Sequence, residues 1–217
     1  MKRGSDMRFQ SILEYFIGLD LARARDFSAI AVAGLYHETH GDFDRVRYCQ
    51  PTRPALHLGA LRRIPLGTEY IEVVQQLRRL VERLRAQYGY GHPLPRIHVV
   101  LDSAGPGHVV LELLRAEQLS VNLVPVLMTA GSDVGHSSGR TTVPRKDIVS
   151  NIRYLLETEL LRIDKSLAHA HILEREIAAV RPHGGQYPHD DLAIAAGLAT
   201  WYATRIHRQL IRPTRAA

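Results

Sequence analysis

Three acidic stretches carry the residue types from which a reaction centre can be built. Asp20 closes an apolar run, Tyr15 to Leu19, inside EYFIGLDLARARDFSAIAVAG. Asp102 closes a second run, Arg96 to Leu101, just before SAGPG. Asp190 and Asp191 open an alanine-rich stretch, HDDLAIAAGLATWYA. A carboxylate at the end of a buried strand is costly to desolvate unless a cation meets it. Like charges ~4 Å apart repel by roughly 4 kcal/mol at an effective dielectric of 20. Several carboxylates at one site therefore call for a bound cation, or for protonation of some of them. All-oxygen ligation suits Mg²⁺ or Mn²⁺ rather than zinc. Two such ions ~3.5–4 Å apart clamp the attacking and the leaving oxygen of a phosphodiester. The candidate ligands are Asp20, Asp102, Asp190 and Asp191, with Asp20, Asp102 and Asp191 as the catalytic set.

Each acid also has a plainer reading. Asp20 is a turn residue, the Asp190–Asp191 pair stabilises a helix macrodipole, and DSAGPG is either a phosphate cradle at a helix start or only a tight turn. Asp26 is a fourth site acid or the start of a second strand, and His189 adjoins the acid pair. Arg145 and Lys146 open a helix after a polar loop and contact phosphate or simply face solvent; Arg23, Arg25 and Arg140 are further candidates for DNA contact.

Composition agrees with such a site. The 217 residues carry a formal charge of +6, and of the 28 basic residues only Lys2, Lys146 and Lys165 are lysine, which leaves 25 arginines. Guanidinium forks suit phosphate oxygens, so a nucleic-acid partner is expected. Cys49 is the single cysteine, which rules out an internal disulfide and a cysteine-based zinc site and points to a reducing compartment. No segment approaches the ~20 apolar residues of a membrane helix. A soluble, cytoplasmic protein with no membrane partner is expected.

The elements that must position the acids follow from periodicity. Strands are expected at Tyr15–Leu21 and Phe27–Tyr36, joined as a hairpin, with a third, proline-broken edge strand between Arg45 and Ile64. Thr68 caps a helix in which Ile71, Val74, Leu77, Val81 and Leu84 form the apolar stripe, ending at Gly89. Arg96–Leu101, a helix over Val109–Gln118 and Val121–Leu127 make a strand–helix–strand unit, hence a parallel pair. Thr129–Val143 reads as a mobile loop. Helices follow from Pro144 to Glu159, over Leu167–Val180 and from His189, with an extended LLRID after the first of them and a turn at Gly184–Pro188. The fold class is α/β, a mixed sheet of five or more strands flanked by helices, with residues 1–13 a flexible start, 14–206 one domain and 207–217 a loose basic tail.

Four segments in order, FIGLDLARARDFSAIAV, VVLDSAGPGHVVLELL, TVPRKDIVSNIRYLLETELLRI and HDDLAIAAGLATWYA, resemble the nuclease domain of tailed-phage terminase large subunits, which is RNase H-like (RuvC-type). The resemblance covers about Glu14 to Ala203. It implies a two-metal (Mg²⁺ or Mn²⁺) endonuclease cutting concatemeric viral double-stranded DNA, in the cytoplasm of a bacterial host if phage or prophage encoded. By position, Asp20 would bridge both ions, Asp102 would bind one, and Asp191 with Asp190 would complete the cage; Asp26 matches an extra acid of some relatives. A packaging ATPase, a small terminase and a portal are the implied partners. The sequence contains no GxxxxGK[ST] motif, so an excised domain or a stand-alone nuclease is expected. A RuvC-like junction resolvase and a non-catalytic DNA-binding protein are the competing readings. A sugar-kinase/actin ATPase is disfavoured because Leu21–Arg25 has no Gly- and Thr-rich phosphate loop.

Overall fold

The computed structural model describes residues 12–22, 27–89, 93–137, 140–179 and 190–210. Its strands are β1 (Glu14–Asp20), β2 (Ser28–Thr39), β3 (Thr52–Ile64), β4 (Arg96–Asp102), β5 (Asn122–Thr129), β6 (Gly135–Ser137), β7 (Arg140–Pro144) and β8 (Leu161–Ile163). Its helices are α1 (Tyr70–Ala86), α2 (Pro106–Ala116), α3 (Arg145–Glu157), α4 (Ala170–Ala179) and α5 (Asp191–Ile206). The strands form one sheet in the order β6-β7-β5-β4-β1-β2-β3-β8. β1, β2 and β3 are an antiparallel meander; β4, β5 and β7 add in parallel beyond β1. The expected α/β class and mixed sheet are what the chain forms.

Alternation along the strands divides the core into two layers. Ile17, Leu19, Val99 and Leu101 face α1 and α2. Phe16 and Val100 face the layer of α3, α4 and α5. β1 and β4 are covered on both faces, which is why they read as unbroken apolar runs.

The middle of the second layer is α5, buried at every residue from Asp191 to Trp201. A helix apolar all round belongs inside a core, and its alanines let it lie close to the sheet. The approach is tightest at Gly18, where an added Cβ would stand 1.8 Å from the Ala195 carbonyl oxygen.

Several expectations are corrected. Thr68 does not cap α1: its hydroxyl donates to the Pro65 carbonyl at 2.7 Å, and Glu69 holds the cap position. Ile71 is exposed and Val73 takes the core position instead, because the buried stripe is set by the tilt of the helix on the sheet. Thr129–Val143 is not all loop: β7 pairs with the edge of β5, whose open backbone groups Thr141, Thr142 and Val143 satisfy, and β6 folds back on it. The chain after Ile206 is not loose at its start, since Leu210, in a short 3-10 turn, is fully buried. β8 pairs only Leu56–Leu58, so β3 is an edge strand over the rest of its length. The expected turn at Gly184–Pro188 lies outside the described residues. Among the described residues no helix is long and apolar enough to cross a membrane.

Replacing Gly18 by Ala must push α5 off β1. The expected outcome is a loss of about 3 kcal/mol or more, measured by urea denaturation followed by circular dichroism.

Candidate active site

Asp20 and Asp102 are brought together by register. β1 and β4 run parallel with Leu19 opposite Leu101, so the two aspartates are the next residues on adjoining strands. Leu19 and Leu101 point into the α1/α2 layer; by alternation both aspartates turn to the α5 side. α5 begins at this rim. Asp190 is its N-cap residue and Asp191 its first helical residue.

The turn after Asp102 is tight for a stated reason. Gly105 has φ of +51°, and a Cβ at Gly107 would lie 1.7 Å from the Asp102 carbonyl oxygen. Gly107 N–H and His108 N–H donate to the carbonyls of Ala104 and Gly105 at 3.0 and 3.2 Å, so these amides are used within the turn. DSAGPG forms a tight turn that leads directly into α2, with Gly105 at its N-cap.

Electrostatics bind the acids into one unit. Burial, then the charges of Asp190, Asp191 and Asp102, push the Asp20 carboxyl up to about 8, against the pull of Arg145. Although its edge reaches solvent, Asp20 accepts no hydrogen bond from the described residues. Asp102 is also raised by burial, and the amides of Ala104 and Met128, 3.1 and 3.4 Å from its Oδ1, pull it back.

The other two acids are held by arginine. Arg63, at the end of β3, donates Nε to Asp191 Oδ2 at 2.7 Å and Nη2 to Asp191 Oδ1 at 2.9 Å. The same Nη2 reaches Glu176 Oε1 at 2.6 Å, and the guanidinium lies over the Phe27 ring at 4.8 Å. The bonds to Asp191 hold Arg63 firmly in its charged form. Glu176 is almost fully buried on α4 and its Oε2 accepts the Ala193 N–H at 2.9 Å. Burial pushes the Glu176 carboxyl up to about 7, with Asp191 adding to the push and the Ala193 amide and Arg63 opposing it. Arg145, the first residue of α3, donates to Asp190 Oδ2, and the Asp190 side chain makes no cap hydrogen bond to α5.

Asp20, Asp102, Asp190 and Asp191 thus meet at one rim. Among the described residues, however, no three acid or histidine side chains are grouped closely enough to hold an ion together. Arg63 and Arg145 occupy two of the four carboxylates. Of the other candidates, Arg140 Nη1 lies 3.5 Å from the Ser103 carbonyl, beside Asp102, and Lys146 is half-buried beside Arg145. Asp26, His189, Arg23 and Arg25 lie outside the described residues. Arg63 and Glu176 are the site residues that sequence reasoning missed. Glu176 did leave a signal, as an acid between Leu173 and Ile177 on the buried stripe of α4. Arg63 left none, being one of two consecutive arginines at a strand end.

A mixed sheet of antiparallel β1–β2–β3 extended by parallel β4 and β5, with α5 across it, defines the RNase H-like fold. Among solved structures, the chain is similar to the human cytomegalovirus terminase nuclease domain, at 14% identity over 91% of this chain and 86% of that one, with a TM-score of 0.55. The Mn-soaked form of that domain matches at 12% identity over 96% and 93%, TM-score 0.54. The large terminase nuclease from thermophilic phage G20c is 22% identical over 86% and 80%, TM-score 0.48. On the cytomegalovirus matches, the expected likeness to terminase nuclease domains holds at the level of fold. No family model matches the sequence, and neither does any curated protein.

Asp20→Asn removes a carboxylate whose charge its neighbours oppose. In EDTA at neutral pH it is expected to stabilise the protein by about 1–2 kcal/mol, or ~3–6 °C in Tm for a domain of this size, read by calorimetry. Arg63→Gln strands two buried acids and is expected to cost about 3 kcal/mol or more, measured by urea denaturation.

Proposed function

We propose that this chain is a metal-dependent endonuclease of the terminase type, hydrolysing phosphodiester bonds in double-stranded DNA. What carries the reading is the meeting of Asp20, Asp102 and the Asp190–Asp191 pair on one side of the sheet, where two parallel strands end and α5 begins. Ligands of open α/β sheets gather at such carboxyl ends. The fold likeness to a terminase nuclease domain, one form of which was soaked with Mn, supports it further.

The donor types, rather than their present spacing, suit a hard divalent cation. They are oxygen only, and the burial and neighbouring acids that oppose ionisation of Asp20 are what a Mg²⁺ or Mn²⁺ ion would offset. Asp20 and Asp102 would hold the metal from the strands, and Asp191 with Asp190 from the helix. Bound there, two ions would supply an activated water and neutralise the leaving oxygen. The chain's own residues do the rest. Arg63 and Glu176 fix the Asp191 carboxylate in orientation. Arg145 steadies Asp190. Arg140, whose Nη1 lies 3.5 Å from the Ser103 carbonyl, and Lys146 would contact the phosphates of the bound strand. In a packaging setting the ATPase, small terminase and portal would be its partners, and concatemeric DNA its substrate.

Supercoiled plasmid provides the test. Nicking and linearisation are expected with Mn²⁺ at least as fast as with Mg²⁺, none with Ca²⁺, and none in excess EDTA. Asp20→Asn and Asp102→Asn are each expected to lose on the order of 100-fold or more while keeping DNA binding in a gel-shift assay. Cutting that persists in EDTA, or in both variants, would reject the assignment.

A further inference from the structure

Most arginines with a defined partner are neutralised. Arg53 and Arg162 share Glu38, Arg96 pairs with Glu14, Arg115 with Glu112, Arg145 with Asp190, and Arg78 with Glu82 and Glu117. Arg85, Arg140 and Arg153 donate to carbonyls elsewhere in the fold, but three arginines without an acid partner, Arg62, Arg79 and Arg83, share one place. An open cleft of about 940 Å³ between the end of β3 and α1 is lined by Arg62, Arg63, Arg79 and Arg83.

Strand alternation sets its two sides. Arg62 pairs with Ile30, which faces α1, so Arg62 points into the cleft, whereas Arg63 pairs with Ala29 and reaches across to Asp191. Arg79 and Arg83 are one turn apart on α1 and stand on the same face, about 6 Å apart along the axis. Arg62 donates to the neutral Gln76 Oε1 at 3.0 Å, and Arg83 to the Arg79 carbonyl at 3.3 Å. The one acid of the lining, Glu82, bonds Arg78 at 3.2 Å. Arg62, Arg79 and Arg83 therefore form no ion pair among the described residues.

Three guanidiniums lining one cleft with no ion pair of their own repel one another unless an anion joins them. The lining offers only Pro65 and Ala86 as apolar surface. No aromatic ring is present on which unpaired bases could stack, and no aromatic anchor of the kind that centres protein interfaces. Arginine forks without stacking surface suit a phosphodiester backbone.

We propose that the β3–α1 cleft is a duplex-DNA backbone site, which Arg63 joins to the acid rim. The proposal rests on the nuclease reading for its ligand but not for its test. Binding of a fluorescent 30-base-pair duplex is measured by anisotropy in EDTA, where no cleavage occurs, across a salt series. The triple variant Arg62→Gln/Arg79→Gln/Arg83→Gln is compared with Arg47→Gln/Arg115→Gln/Arg175→Gln, which removes the same charge elsewhere. Each lost phosphate contact lowers the slope of log K against log salt by about 0.9. The cleft variant is expected to lose ~2–3 in slope and at least ~10-fold in affinity, with the control near wild type. Thermal melts of both variants establish that each is folded. Equal losses in the two variants, or a cleft variant with the wild-type slope, would overturn the proposal. Wild-type binding without any cutting under the plasmid conditions would instead reject the nuclease reading and leave the cleft standing.

Discussion

Negative charge concentrated at one rim of the sheet is the constraint that shapes this molecule. Asp20 is desolvated and looks toward Asp190, Asp191 and Asp102, and its ionised form is disfavoured by all of them. Such an arrangement runs against stability and persists only where the surrounding structure enforces it. Here the enforcement is geometric. Parallel pairing of β1 with β4 fixes two acids side by side, and the seating of α5 on Gly18 delivers the other two. The alanine-rich surface of α5 is what lets that helix come near enough.

The protein compensates part of this charge itself, and unevenly. Arg63 grips Asp191 with two donors while sharing its Nη2 with Glu176, and Arg145 meets Asp190. Both are helix-borne acids. The strand-borne acids accept no arginine hydrogen bond among the described residues and feel only the more distant charge of Arg145: Asp102 has two backbone amides, and Asp20 has no hydrogen bond. The rim is thus divided into a half braced by arginine hydrogen bonds and a half without them.

Much of this was legible in the sequence. Asp20 and Asp102 were visible because an acid ending a buried strand breaks an apolar run, and Asp191 because it opens a run of small residues. Periodicity also gave the order of the strands and helices. What escaped depends on three-dimensional partners. Gly135–Ser137 and Arg140–Pro144 are too short and polar to announce themselves; they become strands because β5 offers an edge. Ile71 fits the helical period of α1 as well as Val73 does, and only the seating of the helix decides which is buried. Arg63 is one arginine among 25 until β3 places it against α4 and α5.

The division of the rim bears on how a cation would act there. A divalent ion gains most where carboxylate charge is least compensated, which is at Asp20 and Asp102. Asp191 is different: with both oxygens on Arg63, it offers an ion only its remaining lone pairs, in an orientation the bidentate contact has already set. Arg63 therefore cuts two ways. It lowers the net negative charge that draws a cation, and it removes the conformational freedom that Asp191 would otherwise lose on ligation. Glu176 tilts the balance toward the second effect. Its buried carboxylate takes part of the Arg63 charge for itself and ties the start of α5 through Ala193 N–H. Where Glu176 is ionised, the Arg63–Glu176 pair is neutral as a unit and Asp191 keeps its attraction for a metal; the raised Glu176 carboxyl, at about 7, ties that balance to pH.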